Sequence, residues 1–169
     1  TTPQRLVDTR DGTGGQQGKL TPTGQLNVPV HGETLSVSGN SAQVPLSATA
    51  AALNVTIVNP ERAGFATVWP CSAERPLASN LNFVSGQVVA NNVIAPIGDQ
   101  GSVCFYTNVP SDIIVDIAGY FSGEDGNQFV GSTPKRYIDT RSNLGPAPIS
   151  LDPIGAIDTD GDGIDNNSD

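Results

Sequence analysis

The chain has little of what enzymes use for acid–base and nucleophilic chemistry. Its 169 residues include one histidine, His31, in the turn-like stretch VHGE. The sequence lacks a G-x-S-x-G elbow, a histidine cluster for a metal and a glycine loop that opens a helix. Asp112 and Asp116 would share one face of a strand, but strand geometry separates them by about 13 Å, too far for a glycosidase pair. These absences predict a protein that is not an enzyme.

Basic residues and long apolar runs are scarce as well. Eight lysines and arginines face 17 aspartates and glutamates, which gives a formal net charge of −9. This balance argues against nucleic acid and anionic membranes as partners, and no run approaches the roughly 20 apolar residues of a membrane span. Six of the acids and no base lie within residues 152–169, so the body of the chain is nearly neutral and its tail is acidic.

The chain has two cysteines, Cys71 and Cys104. Each ends an apolar, strand-like run, and the pair has neither C-x-x-C spacing nor a neighbouring histidine. A disulfide is the favoured interpretation, and a buried reduced pair is the alternative. A disulfide would indicate an oxidising compartment, and therefore a secreted or cell-surface protein.

Glycine and proline are abundant instead, with 19 and 13 residues, and they separate short stretches in which apolar and polar residues alternate. This pattern predicts an all-β protein, an antiparallel β-sandwich with jelly-roll or Greek-key connections. The alternation places Leu53, Val55 and Ile57 on the core face of one strand and Asn54 and Thr56 on its outer face. The predicted strands cover residues 5–10, 25–30, 34–38, 51–58, 64–69, 79–84, 87–96, 102–107 and 112–121.

One short motif occurs twice. PQRLVDTR at residues 3–10 and PKRYIDTR at residues 134–141 are identical at five of eight positions. We accordingly divide the chain into three parts. A β-sandwich module covers residues 1–122, a connector with the second copy of the motif covers residues 123–145, and an irregular linker with an acidic calcium-loop segment covers residues 146–169.

The opening RLVDTRDGTG and the closing IVDIAGYF, at residues 5–14 and 114–121, resemble a module that occurs, often in tandem, in secreted and surface proteins of bacteria. The resemblance covers residues 3–121. It implies an all-β unit bracketed by the two half-motifs, with cysteines that recur as a pair, in an extracellular setting and with no particular activity. The matching residues are Arg5, Asp8, Thr9 and Arg10 in the opening motif and Asp116, Gly119 and Tyr120 in the closing one.

The charged residues of these motifs are predicted to pair with one another. In a regular strand Asp8 and Arg10 share one face, whereas Arg5 and Thr9 share the other. Asp116, in the middle of the last strand, also needs a cationic partner. We therefore predict a structural charge cluster of Arg5, Asp8, Arg10 and Asp116 rather than a catalytic carboxylate pair.

The second copy of the motif, with Arg136, Tyr137, Ile138, Asp139 and Arg141, has three possible interpretations. It begins a further module of a tandem array, or it folds back onto the same sandwich, or it is donated to the corresponding edge of a neighbouring molecule. Donation would join subunits head to tail into a filament. Because Tyr137 and Ile138 favour strands, the segment is predicted to be an ordered strand paired with a sandwich edge.

The stretch DTDGDGIDNNSD at residues 158–169 has the ligand spacing of a calcium loop. Acids at positions one, three and five, a glycine at six and an acid at twelve are typical of an EF-hand-type loop, in which position seven offers its carbonyl. No helix-forming sequence precedes it, so the stretch resembles a thrombospondin type-3 calcium repeat more closely. The alternative is a disordered acidic tail. The predicted Ca²⁺ ligands are Asp158, Asp160, Asp162, Ile164 and Asp169, the last in place of the usual glutamate.

Two functions are compatible with these features. The first is a non-catalytic structural or adhesive module of a bacterial cell-surface protein or extracellular filament, which associates with copies of itself or with neighbouring modules. The alternative is a carbohydrate-binding module attached to a secreted hydrolase, with Trp69, Asn80 and Asn82 as a possible glycan platform. For Trp69 the favoured expectation is burial, with its indole N–H hydrogen-bonded.

Overall fold

The computed structural model describes residues 3–37 and 40–123, with the backbone alone at residues 35–37 and 40–42. All of them belong to the first of two units into which the chain divides, Thr1–Thr133, whereas the second unit, Pro134–Asp169, lies outside the described part. The described residues contain no helix long and apolar enough to cross a membrane. They form the strands β1 (Gln4–Asp8), β2 (Leu26–Pro29), β3 (Thr34–Val37), β4 (Asn40–Gln43), β5 (Ala48–Val58), β6 (Gly64–Pro70), β7 (Leu81–Phe83), β8 (Val89–Pro96), β9 (Ser102–Thr107) and β10 (Asp112–Ser122).

Eight of these strands form two antiparallel sheets of four. The first sheet has the order β1-β10-β5-β8 and the second the order β2-β9-β6-β7, while β3 and β4 form a separate hairpin. The pairs are nested, because β6 pairs with β7, β5 with β8, β2 with β9 and β1 with β10. A chain that folds as one long hairpin and winds across two sheets in this way is a jelly roll. The predicted antiparallel β-sandwich is confirmed, and its connections are those of the jelly-roll alternative.

The core lies between the two sheets, and β5 contributes alternate residues to it. On β5 the side chains of Leu53, Val55 and Ile57 are buried, as predicted, and those of Asn54 and Thr56 on the outer face are partly exposed. Each fully buried aliphatic side chain stabilises the fold by roughly 1.5–3 kcal/mol relative to leaving it in water. The alternation therefore determines which side of each strand packs against the opposite sheet.

The sequence pattern does not predict β4. The stretch SGNS at residues 38–41 has the composition of a turn, yet Asn40 and Ser41 are the first two residues of β4, which pairs with β3 from Asn40 to Gln43. The sequence NSAQ of β4 has no β-branched or aromatic residue. Its extended conformation therefore comes from pairing with β3 and not from intrinsic strand propensity.

Candidate functional site: the joint between β1 and β10

β1 lies at the edge of the first sheet, with β10 as its one neighbour there. The two strands pair from Gln4 opposite Ile117 to Asp8 opposite Ile114, so the opening and closing half-motifs are adjacent strands of one sheet. Leu6 and Val7 on β1 are buried and attach the edge to the core. We call this arrangement the β1–β10 joint.

A β-bulge in β1 changes the position of Arg5. The register with β10 shifts between Arg5 and Val7, and a bulge of this kind breaks the regular alternation of faces. The prediction that Arg5 and Asp8 lie on opposite faces is therefore wrong. Arg5 donates from Nη1 to Asp8 Oδ2 at 2.9 Å and from Nε to Asp116 Oδ1 at 2.7 Å.

Asp8 is the centre of the charge cluster. Its side chain is 2% exposed, and it accepts two side-chain hydrogen bonds from Arg10, from Nε at 2.8 Å and from Nη2 at 2.6 Å. The backbone N–H of Arg10 donates to the same carboxylate at 3.1 Å. These contacts with Arg10 lower the pKa of Asp8 from 3.8 to about 2, against the opposing effect of burial. The structure thus brings Asp8 together with Arg10 and Arg5, and links Asp116 to them through Arg5.

The electrostatics of this cluster suit a structural role. The Asp8 carboxylate stays ionised near neutral pH because of its depressed pKa, whereas a general base works best with a pKa near the operating pH. The hydrogen bond to Asp116 is the main cause that raises the pKa of Arg5, and the one to Asp8 raises that of Arg10. The cluster therefore consists of charges that satisfy one another, as in a bidentate structural pair.

Thr9 makes a second connection, between the end of β1 and the start of β10, which the sequence did not predict. Its backbone N–H donates to the carbonyl of Ile113 at 3.1 Å, and its Oγ1 accepts the N–H of Ile113 at 3.0 Å. The same hydroxyl donates to Asp112 Oδ1 at 3.0 Å. Asp112 is the first residue of β10, and its hydrogen bond holds Thr9, which directly follows β1. The sequence feature that could have indicated this contact is the position of Asp112, an aspartate directly after the turn sequence NVPS.

The chain turns back after β1 through a loop that requires glycine. The backbone angle φ is +85° at Gly12 and +80° at Gly14, a region that side-chain-bearing residues rarely adopt. At Gly14 an added Cβ would overlap the carbonyl oxygen of Leu6 and the side chain of Val7. The loop is therefore packed directly against β1, and the strand predicted over residues 5–10 ends at Asp8.

The disulfide between Cys71 and Cys104 is present, with its two Cα atoms 4.9 Å apart, and the prediction is confirmed. Cys104 lies on β9 directly opposite Trp69 of β6, and Cys71 follows β6 by one residue. The bond thus links β9 to the start of the loop over residues 71–80.

The glycan platform predicted from Trp69, Asn80 and Asn82 is not formed. Trp69 is 4% exposed, and its indole N–H donates to the carbonyl of Ala73 at 3.1 Å, because the loop after β6 covers the ring. The side-chain oxygens of Asn80 and Asn82 accept hydrogen bonds from within the protein, at 2.8 and 3.0 Å. The expectation that Trp69 is buried and hydrogen-bonded is therefore confirmed, and the ring has no free face for a sugar.

Tyr106 on β9, opposite Thr67 of β6, has one ring face covered. The guanidinium carbon of Arg75 lies 3.6 Å from the ring centroid of Tyr106, a cation–π geometry. Phe65 lies at the side of the same ring, with centroids 6.2 Å apart and a tilted arrangement. Arg75 therefore occupies one face of the Tyr106 ring.

Two predicted sets lie outside the described residues. They are the strand copy with Arg136, Tyr137, Ile138, Asp139 and Arg141, and the calcium ligands Asp158, Asp160, Asp162, Ile164 and Asp169. Among residues 3–37 and 40–123, no group of three or more histidine, cysteine, aspartate or glutamate side chains is placed to hold a metal ion.

Comparison with known proteins gave no match: no family model, curated protein or solved structure is similar enough to the chain to be counted. The resemblance to a tandem bacterial surface module stays a prediction.

Proposed function

We propose that this chain is a non-catalytic structural or adhesive module of a secreted or cell-surface protein, and that it associates with further copies of the same module. The observation that carries the proposal is the β1–β10 joint. There Arg5 of the opening motif contacts Asp116 of the closing motif, and Thr9 contacts Asp112 at the start of β10. The opening motif then occurs a second time at residues 134–141. The chain therefore has one complete β1–β10 joint and a second copy of the opening motif. A second opening motif could pair with the β10 edge of another module and so connect the two.

Other features support the same proposal. The Cys71–Cys104 disulfide fits the oxidising environment of a secreted or surface protein. The acidic balance of the chain fits a partner that is neither nucleic acid nor an anionic membrane. The carbohydrate-binding alternative has less support, because the ring of Trp69 is buried and Arg75 covers Tyr106.

The first prediction is that the full chain self-associates as its concentration rises. Sedimentation velocity and negative-stain microscopy should show oligomers or filaments, because the chain carries a second copy of the motif whose first copy fills the β10 edge. A glycan array on the same material tests the alternative. A chain that stays monomeric at every concentration and binds a glycan would overturn the structural proposal in favour of carbohydrate binding.

We also propose that the segment at residues 158–169 binds Ca²⁺. What supports this is the spacing of its acids with Gly163, since hard oxygen ligands at this density suit Ca²⁺ better than transition metals. Calorimetric titration of the full chain with Ca²⁺ should give a binding heat that Asp160→Asn abolishes. Asp152→Asn, with the same change of charge outside the loop, should leave the heat unchanged. Equal heats from both variants, or no heat from the unaltered chain, would contradict the proposal.

A further inference from the structure

The edge of β10 accepts a strand with a defined set of contacts. In the structure that strand is β1, which places Arg5 against Asp116 at 2.7 Å and buries Val7 to 2% exposure. Thr9 then exchanges hydrogen bonds with the backbone of Ile113. Any other strand that occupied this edge with comparable affinity would need the same groups at the same spacing.

The second copy of the motif retains these groups. The charged and hydroxyl residues are unchanged, and the two apolar residues between them are replaced by apolar residues that favour strands. Position by position, 131 residues after each member of the first copy, Arg136 matches Arg5, Tyr137 matches Leu6, Ile138 matches Val7, Asp139 matches Asp8, Thr140 matches Thr9 and Arg141 matches Arg10.

The match extends into the loop that follows β1. Gly14, whose Cβ would overlap the backbone of Leu6, has a glycine as its counterpart, Gly145. Gly12, with φ at +85°, has Asn143 as its counterpart, and asparagine is among the residues that adopt this left-handed region most readily. Residues 134–145 can therefore take the same path as residues 3–14, through the bulged strand and the glycine loop.

The matching edge of the same molecule is already filled. β1 pairs with β10 in the described structure, so the second copy can reach a β10 edge only where β1 has left it. β1 is an edge strand of five residues, whereas β10 is paired with β5 along its length from Asp112 to Ser122. Release of β1 would therefore leave β10 in place within the sheet, with its outer edge open.

From these matches we propose that residues 134–145 of one molecule replace β1 on the β10 edge of a second copy of this chain. This inference rests on the proposed function and specifies its partner and its site. Strand replacement supplies main-chain hydrogen bonds together with side-chain pockets. Because the donated segment and the accepting edge are different surfaces, the contact is heterologous and joins molecules head to tail.

The test compares two variants of the full chain with the same change of charge. Arg136→Asp places a carboxylate opposite Asp116 of the accepting molecule, and we expect it to weaken self-association roughly tenfold or more, as the loss of a charge-assisted hydrogen bond implies. Arg62→Asp is the matched control, because Arg62 is exposed and lies between β5 and β6, outside the donated segment and the β1–β10 joint. It should associate like the unaltered chain in sedimentation velocity.

A mixing experiment separates strand replacement from a general charge effect. In Asp116→Arg the new guanidinium group repels Arg5 on β1 of the same molecule. It can instead pair with the carboxylate that the Arg136→Asp chain carries at position 136 of the donated strand. The mixture of these two variants should therefore associate more strongly than either variant alone. Should Asp116→Arg fail to fold, the comparison of Arg136→Asp with Arg62→Asp decides the matter without it.

Each outcome has a definite meaning. If the chain associates but Arg136→Asp and Arg62→Asp associate equally well, strand replacement is wrong while the proposed structural function stands. If Arg136→Asp lowers the melting temperature without any change in molecular size, the second copy pairs within its own molecule and the inference is also wrong. A chain that is monomeric in all forms overturns both the inference and the association on which it rests.

Discussion

Replacing Cys71 and Cys104 together by alanine is expected to lower the free energy of unfolding by about 3–4 kcal/mol. The bond joins positions separated by 33 residues, and without it the unfolded chain regains the conformational freedom of a loop of that length. For a module of this size such a loss corresponds to a fall in melting temperature of roughly 10–15 °C. Differential scanning calorimetry of the two proteins under non-reducing conditions measures the effect.

Two controls separate the bond from the substitutions. Ser72→Ala changes an exposed side chain beside Cys71 and should leave the melting temperature unchanged. Reductant should lower the melting temperature of the unaltered chain to that of the double variant, and should not affect the double variant. Melting temperatures that agree within error, or two free thiols in the denatured, unreduced chain, would contradict the expectation.

Much of the fold follows from local pattern. Leu53, Val55 and Ile57 alternate with Asn54 and Thr56, and burial follows that alternation because a strand points successive side chains to opposite faces. The sequence also favours the disulfide, since its two cysteines have neither C-x-x-C spacing nor a neighbouring histidine. What the pattern did not predict is β4, since strand propensity there is weak and the pairing with β3 decides its conformation.

The β1–β10 joint was predictable in its members but not in its geometry. Sequence reasoning grouped the four charged residues, yet it placed Arg5 on the wrong face because a bulge depends on pairing with a neighbouring strand. The contact of Thr9 with Asp112 joins residues 103 positions apart in sequence, so it depends on the nested pairing of the jelly roll. The cover over Trp69 likewise comes from the path of the loop after β6, which no periodic pattern specifies.

Replacing Asp8 by asparagine is expected to lower the free energy of unfolding by about 2 kcal/mol near neutral pH, since a buried acceptor of charge-assisted hydrogen bonds is lost. The amide that replaces one carboxylate oxygen would face a guanidinium group, and two donors repel each other. Arg5 and Arg10 would lose their shared anion, although both are nearly half exposed and water compensates part of the loss. Urea unfolding of the two proteins measures the difference.

The same difference should depend on pH with a definite sign. The pKa of Asp8 is lowered in the folded protein, from 3.8 to about 2, so between these values the unfolded chain binds a proton that the folded chain does not. The stability that comes from the ionised Asp8 is therefore complete above about pH 4 and is lost as the pH falls to about 2. This pH-dependent part is on the order of 1–2 kcal/mol after allowance for solvent around the two guanidinium groups.

The gap in stability between the unaltered chain and Asp8→Asn should consequently narrow over this acidic range, because only the unaltered chain has the titrating group. Asp99→Asn is the matched control. It removes an exposed carboxylate that forms no ion pair among the described residues, and its small difference from the unaltered chain should not narrow in the same way. A gap for Asp8→Asn that stays constant from neutral pH down to acid would show that Asp8 contributes through shape and neutral hydrogen bonds. The two arginines would then hold the β1–β10 joint together without its charge.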